Sequence, residues 1–208
     1  MTRFGMAIDT TRCSGCNACS MTCKVENNVP DSVWWSKAVT AGGDYMYTPA
    51  GEYPDNLSMS FYTFACQHCK NPACVAVCPI DGATYRREDG IIMQDYSLCI
   101  ACRLCLSACP YTGVRTYIEG EPLYTLDFAV GDADIQDRPS NNVEKCTFCY
   151  HRINRGERPA CVDICPAQAR HFGDLDDPQS DISKLIATRS YHHLLPERGT
   201  GPSVYFLE

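Results

Sequence analysis

Sixteen cysteines in a chain of 208 residues fall into four groups of four, with none left over. The groups are Cys13, Cys16, Cys19 and Cys23; Cys66, Cys69, Cys74 and Cys78; Cys99, Cys102, Cys105 and Cys109; and Cys146, Cys149, Cys161 and Cys165. Three of them end in Cys-Pro, at Pro79, Pro110 and Pro166. A cubane iron–sulfur cluster needs a thiolate on each iron, and the third group has the bacterial ferredoxin spacing C-x2-C-x2-C-x3-C-P. The first group matches it, except that Lys24 replaces the proline. The pattern predicts four [4Fe–4S] clusters in a chain built to pass electrons.

The spacing also bears on how the ligands are shared. In a ferredoxin run the first three cysteines curl round one cube, and the fourth leaves on a short helical turn. Proline stops that turn because it lacks an N–H and disfavours helix before it. The fourth sulfur then points away and ligates the other cube of a two-cluster unit. Runs must therefore come in pairs, and four runs make two pairs.

The second and third runs read as one compact unit over residues 57–120. It holds a lead-in strand at 59–64 and two short strands, Thr84–Arg86 and 91–94, joined by a turn at Glu88-Asp89-Gly90. The first run follows a strand at Phe4–Asp9, and the fourth precedes a stretch at 169–173 that can pair with it. The expected fold is α+β, with two ferredoxin-like modules, one inserted in the other. Residues 1–56 plus 121–173 form a split module, 57–120 the inserted one, and 174–208 a tail. In the tail Asp177-Pro178 opens a helix with Ile182, Leu185 and Ile186 on one face, and 203–207 forms a last strand.

Pairing first with fourth and second with third gives four ligand sets. Cluster 1 takes Cys13, Cys16, Cys19 and Cys165; cluster 2 takes Cys23, Cys146, Cys149 and Cys161. Cluster 3 takes Cys66, Cys69, Cys74 and Cys109; cluster 4 takes Cys78, Cys99, Cys102 and Cys105.

Other uses of cysteine fit less well. Disulfide frameworks belong to small secreted domains without a core, whereas this chain is 45% hydrophobic and long enough to bury one. The fourth run alone resembles a zinc ribbon; the other three crowd their cysteines too closely for that. Eighteen Lys and Arg against 25 Asp and Glu give a net charge of −7, which offers nucleic acid no electrostatic support. The start of the chain lacks the ordered regions of a signal peptide, and no apolar stretch reaches transmembrane length, so the chain reads as soluble by itself. No nucleotide-binding glycine motif, P-loop or nucleophile motif is present, so substrate chemistry is expected on another subunit.

Two long segments remain. Residues 27–55 carry Trp34, Trp35, Tyr45, Tyr47 and Tyr53 with Gly42-Gly43, and are expected to pack on the modules. Residues 121–142 carry Asp127, Asp132, Asp134 and Asp137 and read as solvated surface. His68 has no ligand position to fill and is expected beside a cluster, and His192-His193 at the surface. Lys24, Lys70, Arg103 and Lys145 flank cluster cysteines, where positive charge stabilises the reduced, more negative cube.

The stretches AIDTTRCSGCNACSMTCK, CQHCKNPACVAVCP with GATYRREDGIIMQD and CIACRLCLSACPY, and KCTFCYHRINRGERPACVDICP resemble iron–sulfur subunits of the dimethyl sulfoxide reductase family of molybdopterin oxidoreductases. HFGDLDDP and PERGTGPSVYFL look most like the polysulfide and thiosulfate reductase branch, although residues 121–142 are longer than in those subunits. The resemblance implies a non-catalytic electron-transfer subunit of anaerobic respiration. Its partners would be a large subunit with a bis-pterin guanine dinucleotide Mo or W centre and a quinol-oxidising membrane subunit or other donor. Cluster 1 would lie nearest the Mo or W and cluster 4 at the far end. Related nitrate reductase subunits have tryptophan where this chain has Cys102, and hold a three-iron cluster there. Co-export with a twin-arginine-signalled partner would place the complex on the extracytoplasmic face; a cytoplasmic site is the alternative. A free polyferredoxin carrier and a subunit of a catechol dehydroxylase or transhydroxylase are the other functions weighed.

Overall fold

The computed structural model describes residues 2–41, 48–135 and 138–208. Gly42, Gly43, Tyr45, Tyr47 and Asp137, singled out above, lie outside the described residues. Along the chain run β1 (Phe4–Asp9), α1 (Ala18–Glu26), β2 (Ser36–Thr40), β3 (Phe61–Ala65), α2 (Ala73–Ala76), β4 (Thr84–Arg86), β5 (Ile92–Gln94) and α3 (Leu104–Ala108). Then follow β6 (Arg115–Ile118), β7 (Asn142–Lys145), α4 (Tyr150–Asn154), α5 (Ala160–Asp163), β8 (Arg170–Asp174), α6 (Asp181–Thr188), β9 (Tyr191–His192) and β10 (Val204–Leu207). The chain is a mixed α/β protein of short elements.

One four-stranded sheet, in the order β8-β1-β10-β9, ties the two ends of the chain together. β1 runs antiparallel to β8, with Gly5 opposite Gly173 and Ile8 opposite Arg170, so the stretch after the fourth run does pair with the strand before the first. β10 lies on its other side in parallel, Met6 opposite Val204. A parallel partner cannot follow by a tight turn, and here nearly the whole chain separates β1 from β10. β1 is accordingly buried on both faces. Met6 and Ile8 share a core with Phe148, Val204 and Phe206, while Ala7 packs with Ile182 and Leu207. Burying side chains of this size contributes about 1.5–3 kcal/mol each, so Ile182, Val204, Phe206 and Leu207 anchor the last part of the chain to the central sheet. α6 begins at Asp181, later than Pro178, because the Ser180 hydroxyl accepts from the Ser183 N–H at 3.2 Å and caps it there.

The remaining strands pair as antiparallel hairpins: β4 with β5, β6 with β7, and β2 with β3. β2 comes from the first long segment, and its register sets Ser36 opposite Ala65. Trp35, just before it, is buried and donates from Nε1 to Glu144 Oε2 at 3.0 Å. Tyr53 of the same segment is exposed. In the second long segment two acids of the surface form ion pairs. Asp132 and Asp134 pair with Arg155 at 2.5 and 2.8 Å, and buried Arg138 meets buried Glu144 at 2.7 Å. Asp127 and Phe128, before them in the chain, are exposed.

Candidate iron–sulfur sites

Each run opens on the same backbone device. The residue before the second cysteine has a positive φ in all four runs: Gly15 (67°), His68 (43°), Ala101 (57°) and Phe148 (56°). A left-handed residue at that point folds Cys-x-x-Cys into a curl. Outside glycine it costs about 1–3 kcal/mol, so the surroundings must enforce it. Gly15 is doubly required, since a Cβ there would overlap the Phe61 ring. In the two ferredoxin-spaced runs a second left-handed residue, Asn17 or Arg103, then starts α1 or α3. α3 stops at Ala108, and Cys109 is extended before Pro110. With Lys24 in place of proline, α1 runs on through Cys23 to Glu26.

These devices gather the cysteines in fours. One hollow is lined by Cys13, Cys16, Cys19 and Cys165, together with Arg170. Another is lined by Cys78, Cys99, Cys102 and Cys105. Burial, and then the adjoining sulfurs of Cys146, Cys149 and Cys161, push the Cys23 thiol well above its ordinary value. Burial raises Cys69 to about 12, with Cys66, Cys74 and Cys109 adding to it. Burial likewise lifts Cys109 to about 11 and Cys149 to about 12.

The donors suit cationic iron. All sixteen cysteines are free of disulfide bonds. Crowded, buried thiols resist ionising alone; irons that take four thiolates reverse that preference and expel the protons. The buried Nη2 of Arg115 and Nε of Arg170 have no hydrogen-bond partner among the described residues, and inorganic sulfide is an acceptor that would suit them.

Sulfurs of different groups also lie near enough to act on one another. Cys19 lies in the field of Cys161, Cys66 in that of Cys146, and Cys74 in that of Cys105. Cys19 and Cys161 share one buried core, and Cys74 and Cys105 another. The two exposed cysteines, Cys16 and Cys102, line the first and the second of these hollows.

The cations flagged from sequence separate into kinds. Lys24 donates to the carbonyls of Pro30, Asp31 and Val33 and lies 4.8 Å over the Trp34 ring, so it staples a loop. Arg103 stacks 3.6 Å over Tyr117. The backbone N–H of Lys70 donates to Gly201 O. Only Lys145 is fully buried among sulfurs, where burial lowers its pKa while Cys66 and Cys146 oppose that. Sequence reasoning missed Arg115 and Arg170. Burial opposes charge on each, but the surrounding sulfurs outweigh it and hold both guanidiniums above their ordinary value. Each is the first residue of the strand after a Cys-Pro run, a placement that could have flagged them.

His68 is buried, stacks 3.7 Å from Phe148, and accepts the Ile92 N–H at Nδ1 (3.1 Å), which leaves its proton on Nε2. Burial, with Lys145 and Arg115 nearby, pushes its pKa well down, so it is neutral. His192 and His193 pair instead with Glu208 and the Val204 carbonyl, each at 2.8 Å. Among the described residues no helix is long and apolar enough to cross a membrane.

Curled Cys-x-x-Cys turns and clustered buried thiols define an iron–sulfur protein of the ferredoxin kind, and comparison with known proteins agrees. The family described as 4Fe-4S dicluster domain matches residues 57–123 and 132–175. A relative from Halobacterium salinarum, named as an iron–sulfur subunit of dimethyl sulfoxide reductase, is 50% identical over 212 residues, covering 100% of this chain and 79% of its own. The arsenate respiratory reductase iron–sulfur subunit of a Shewanella species is 38% identical, covering 99% of this chain and 96% of its own. A polysulfide reductase chain of Wolinella succinogenes is 34% identical, covering 99% and 94%. The chain belongs to the iron–sulfur subunits of the dimethyl sulfoxide reductase family of molybdopterin oxidoreductases. It is an electron-transfer subunit that binds [4Fe–4S] clusters, and not a catalytic one.

Proposed function

We propose that the chain holds four [4Fe–4S] clusters in a line and carries electrons between two partners. One is a catalytic subunit with Mo or W on bis-pterin guanine dinucleotide. The other is a quinol-oxidising membrane subunit or an equivalent donor. Cluster 1 is held by Cys13, Cys16, Cys19 and Cys165, and cluster 2 by Cys23, Cys146, Cys149 and Cys161. Cluster 3 is held by Cys66, Cys69, Cys74 and Cys109, and cluster 4 by Cys78, Cys99, Cys102 and Cys105. The module of residues 57–120 is inserted in a second one built from 1–56 and 121–173. Carriage by an exported partner puts the complex on the extracytoplasmic face of the membrane.

The observation that supports this reading is the gathering of cysteines in fours, Cys13, Cys16, Cys19 and Cys165 around one hollow and Cys78, Cys99, Cys102 and Cys105 around another, each with one exposed cysteine, Cys16 or Cys102. A bound cube supplies one-electron redox chemistry. The chain's residues fix its place, keep water from the inner sets with Phe148, Ile91 and Ile92, and leave a port at either end.

Cys165→Ser in the purified complex tests the allocation. Low-temperature electron paramagnetic resonance (EPR) should show damage to the cube of Cys13, Cys16 and Cys19, far away in sequence. Damage confined to the cube of Cys146 and Cys149 overturns the pairing. Molybdenum or tungsten in the co-purifying large chain tests the partner.

A further inference from the structure

Three cations are buried among the cysteines: Arg115 (4% exposed), Lys145 (1%) and Arg170 (5%). A buried, unpaired charge is strongly unfavourable, so each needs negative charge close by. Among the described residues no carboxylate serves them. Arg115 donates to Gln94 Oε1 at 3.3 Å, and Lys145 to the carbonyls of Ile92 and Cys146. Arg170 donates to the Thr63 hydroxyl and the Met6 sulfur. All of those partners are neutral.

The placement is more unusual still for two of them. β6 pairs with β7 so that Arg115 stands directly opposite Lys145. Directly opposed residues of an antiparallel pair project to the same face, and like charges there repel. Two like charges buried face to face persist only where anions flank both.

The sulfurs supply those anions, and they do so pairwise. Arg170 lines the hollow of Cys13, Cys16, Cys19 and Cys165 and lies in the field of sulfurs from two proposed sets, Cys19 and Cys13 of one and Cys161, Cys146 and Cys23 of the next. Lys145 lies in that of Cys146 from one set and of Cys66 and Cys74 from another. Arg115 lies in that of Cys74, Cys66 and Cys109 from one set and of Cys105 from another.

From this placement we infer that Arg170, Lys145 and Arg115 form a ladder of positioning charges, one in each gap between successive clusters, each setting the reduction potentials of the two clusters beside it. The inference rests on the ligand allocation proposed above. Reduction adds one negative charge to a cube and takes up no proton in this scheme. A fixed positive charge in the gap offsets that charge on whichever side it sits. It raises both neighbouring potentials together and eases the repulsion between two reduced neighbours. A cation that served one cluster alone would move one potential; a general surface charge would move all four.

The test is a potentiometric EPR titration of the intact complex carrying Arg170→Gln, Lys145→Gln or Arg115→Gln, each beside its charge-conserving variant (Arg170→Lys, Lys145→Arg, Arg115→Lys). Signals are assigned beforehand from Cys-to-Ser variants, so a wrong allocation is exposed independently of the cations. Arg170→Gln should lower the reduced-to-oxidised ratio of clusters 1 and 2 at least tenfold at fixed potential, about 59 mV for one electron. Clusters 3 and 4 should move much less. Arg115→Gln should do the converse, and Lys145→Gln should shift clusters 2 and 3. The charge-conserving variants should restore most of each shift. The inference is overturned if glutamine moves a single cluster or all four equally, or if the conserving variant shifts potentials as far as glutamine does. Where one glutamine variant fails to retain its iron, the other two gaps pose the same test.

Discussion

Asp9→Asn removes one charge from the point where the central sheet meets the first cysteine loop. Asp9 ends β1, and its carboxylate is buried. Arg189 donates to both oxygens, reaching Oδ1 at 3.2 Å, and Thr11 donates to Oδ1 from its N–H at 3.0 Å and its hydroxyl at 2.6 Å. Burial alone would raise the Asp9 pKa, but these hydrogen bonds and the Arg189 charge outweigh it and hold it at about 2, against an ordinary 3.8. That gap is worth about 2 kcal/mol. Because the folded value is depressed, the stabilisation is complete above the unfolded value and disappears as pH falls from about 4 through about 2. Asparagine keeps an oxygen for Thr11, so the variant removes the ion pair and spares the turn. Unfolding takes the clusters with it, so the assay is the anaerobic rate at which urea bleaches the visible absorption. A loss of about 2 kcal/mol from the folded state corresponds to bleaching faster by up to about 30-fold. The difference should be the same at pH 6, 7 and 8, where the carboxylate is ionised folded or unfolded. Rates within about twofold of each other, or a difference that shrinks from pH 8 to pH 6, would refute the reasoning.

Three further substitutions probe other links. Glu144→Gln strands the buried guanidinium of Arg138 and should cost about 3–5 kcal/mol, read as a lower thermal midpoint of the holo-chain; an unchanged midpoint means the pair is not what anchors the second long segment. Gly15→Ala forces a Cβ against Phe61 at a positive φ, so the cube of the first run should be lost selectively, measured as about four fewer irons per chain with its EPR signal missing. Cys102→Ser should convert one four-iron signal to a three-iron signal; four unchanged signals would show that Cys102 ligates no iron.

The sulfur-bearing part of the chain was legible because cysteine spacing is a ligand code. The runs, the β4–β5 hairpin and the partnership of β1 with the stretch after the fourth run all followed from residue type and local turn chemistry. Three things did not. The left-handed residues His68, Ala101 and Phe148 carry no glycine or asparagine to announce them, because the fold around them imposes their conformation. β2 was hidden in the first long segment, since its partner β3 is remote in sequence, whereas the packing expected of that segment holds for the buried Trp35. Arg115 and Arg170 look like ordinary strand-edge charges until pairing and burial set them among sulfurs.

Sixteen cysteines are enough to hold four cubes that relay electrons. Anaerobic quantification of iron and acid-labile sulfide on the chain within its purified complex tests it directly. About sixteen of each, in a brown protein that dithionite bleaches and the enzyme's oxidised substrate recolours, is the predicted result. A colourless chain that is free of iron or filled with zinc, yet still supports its partner's turnover, would contradict it.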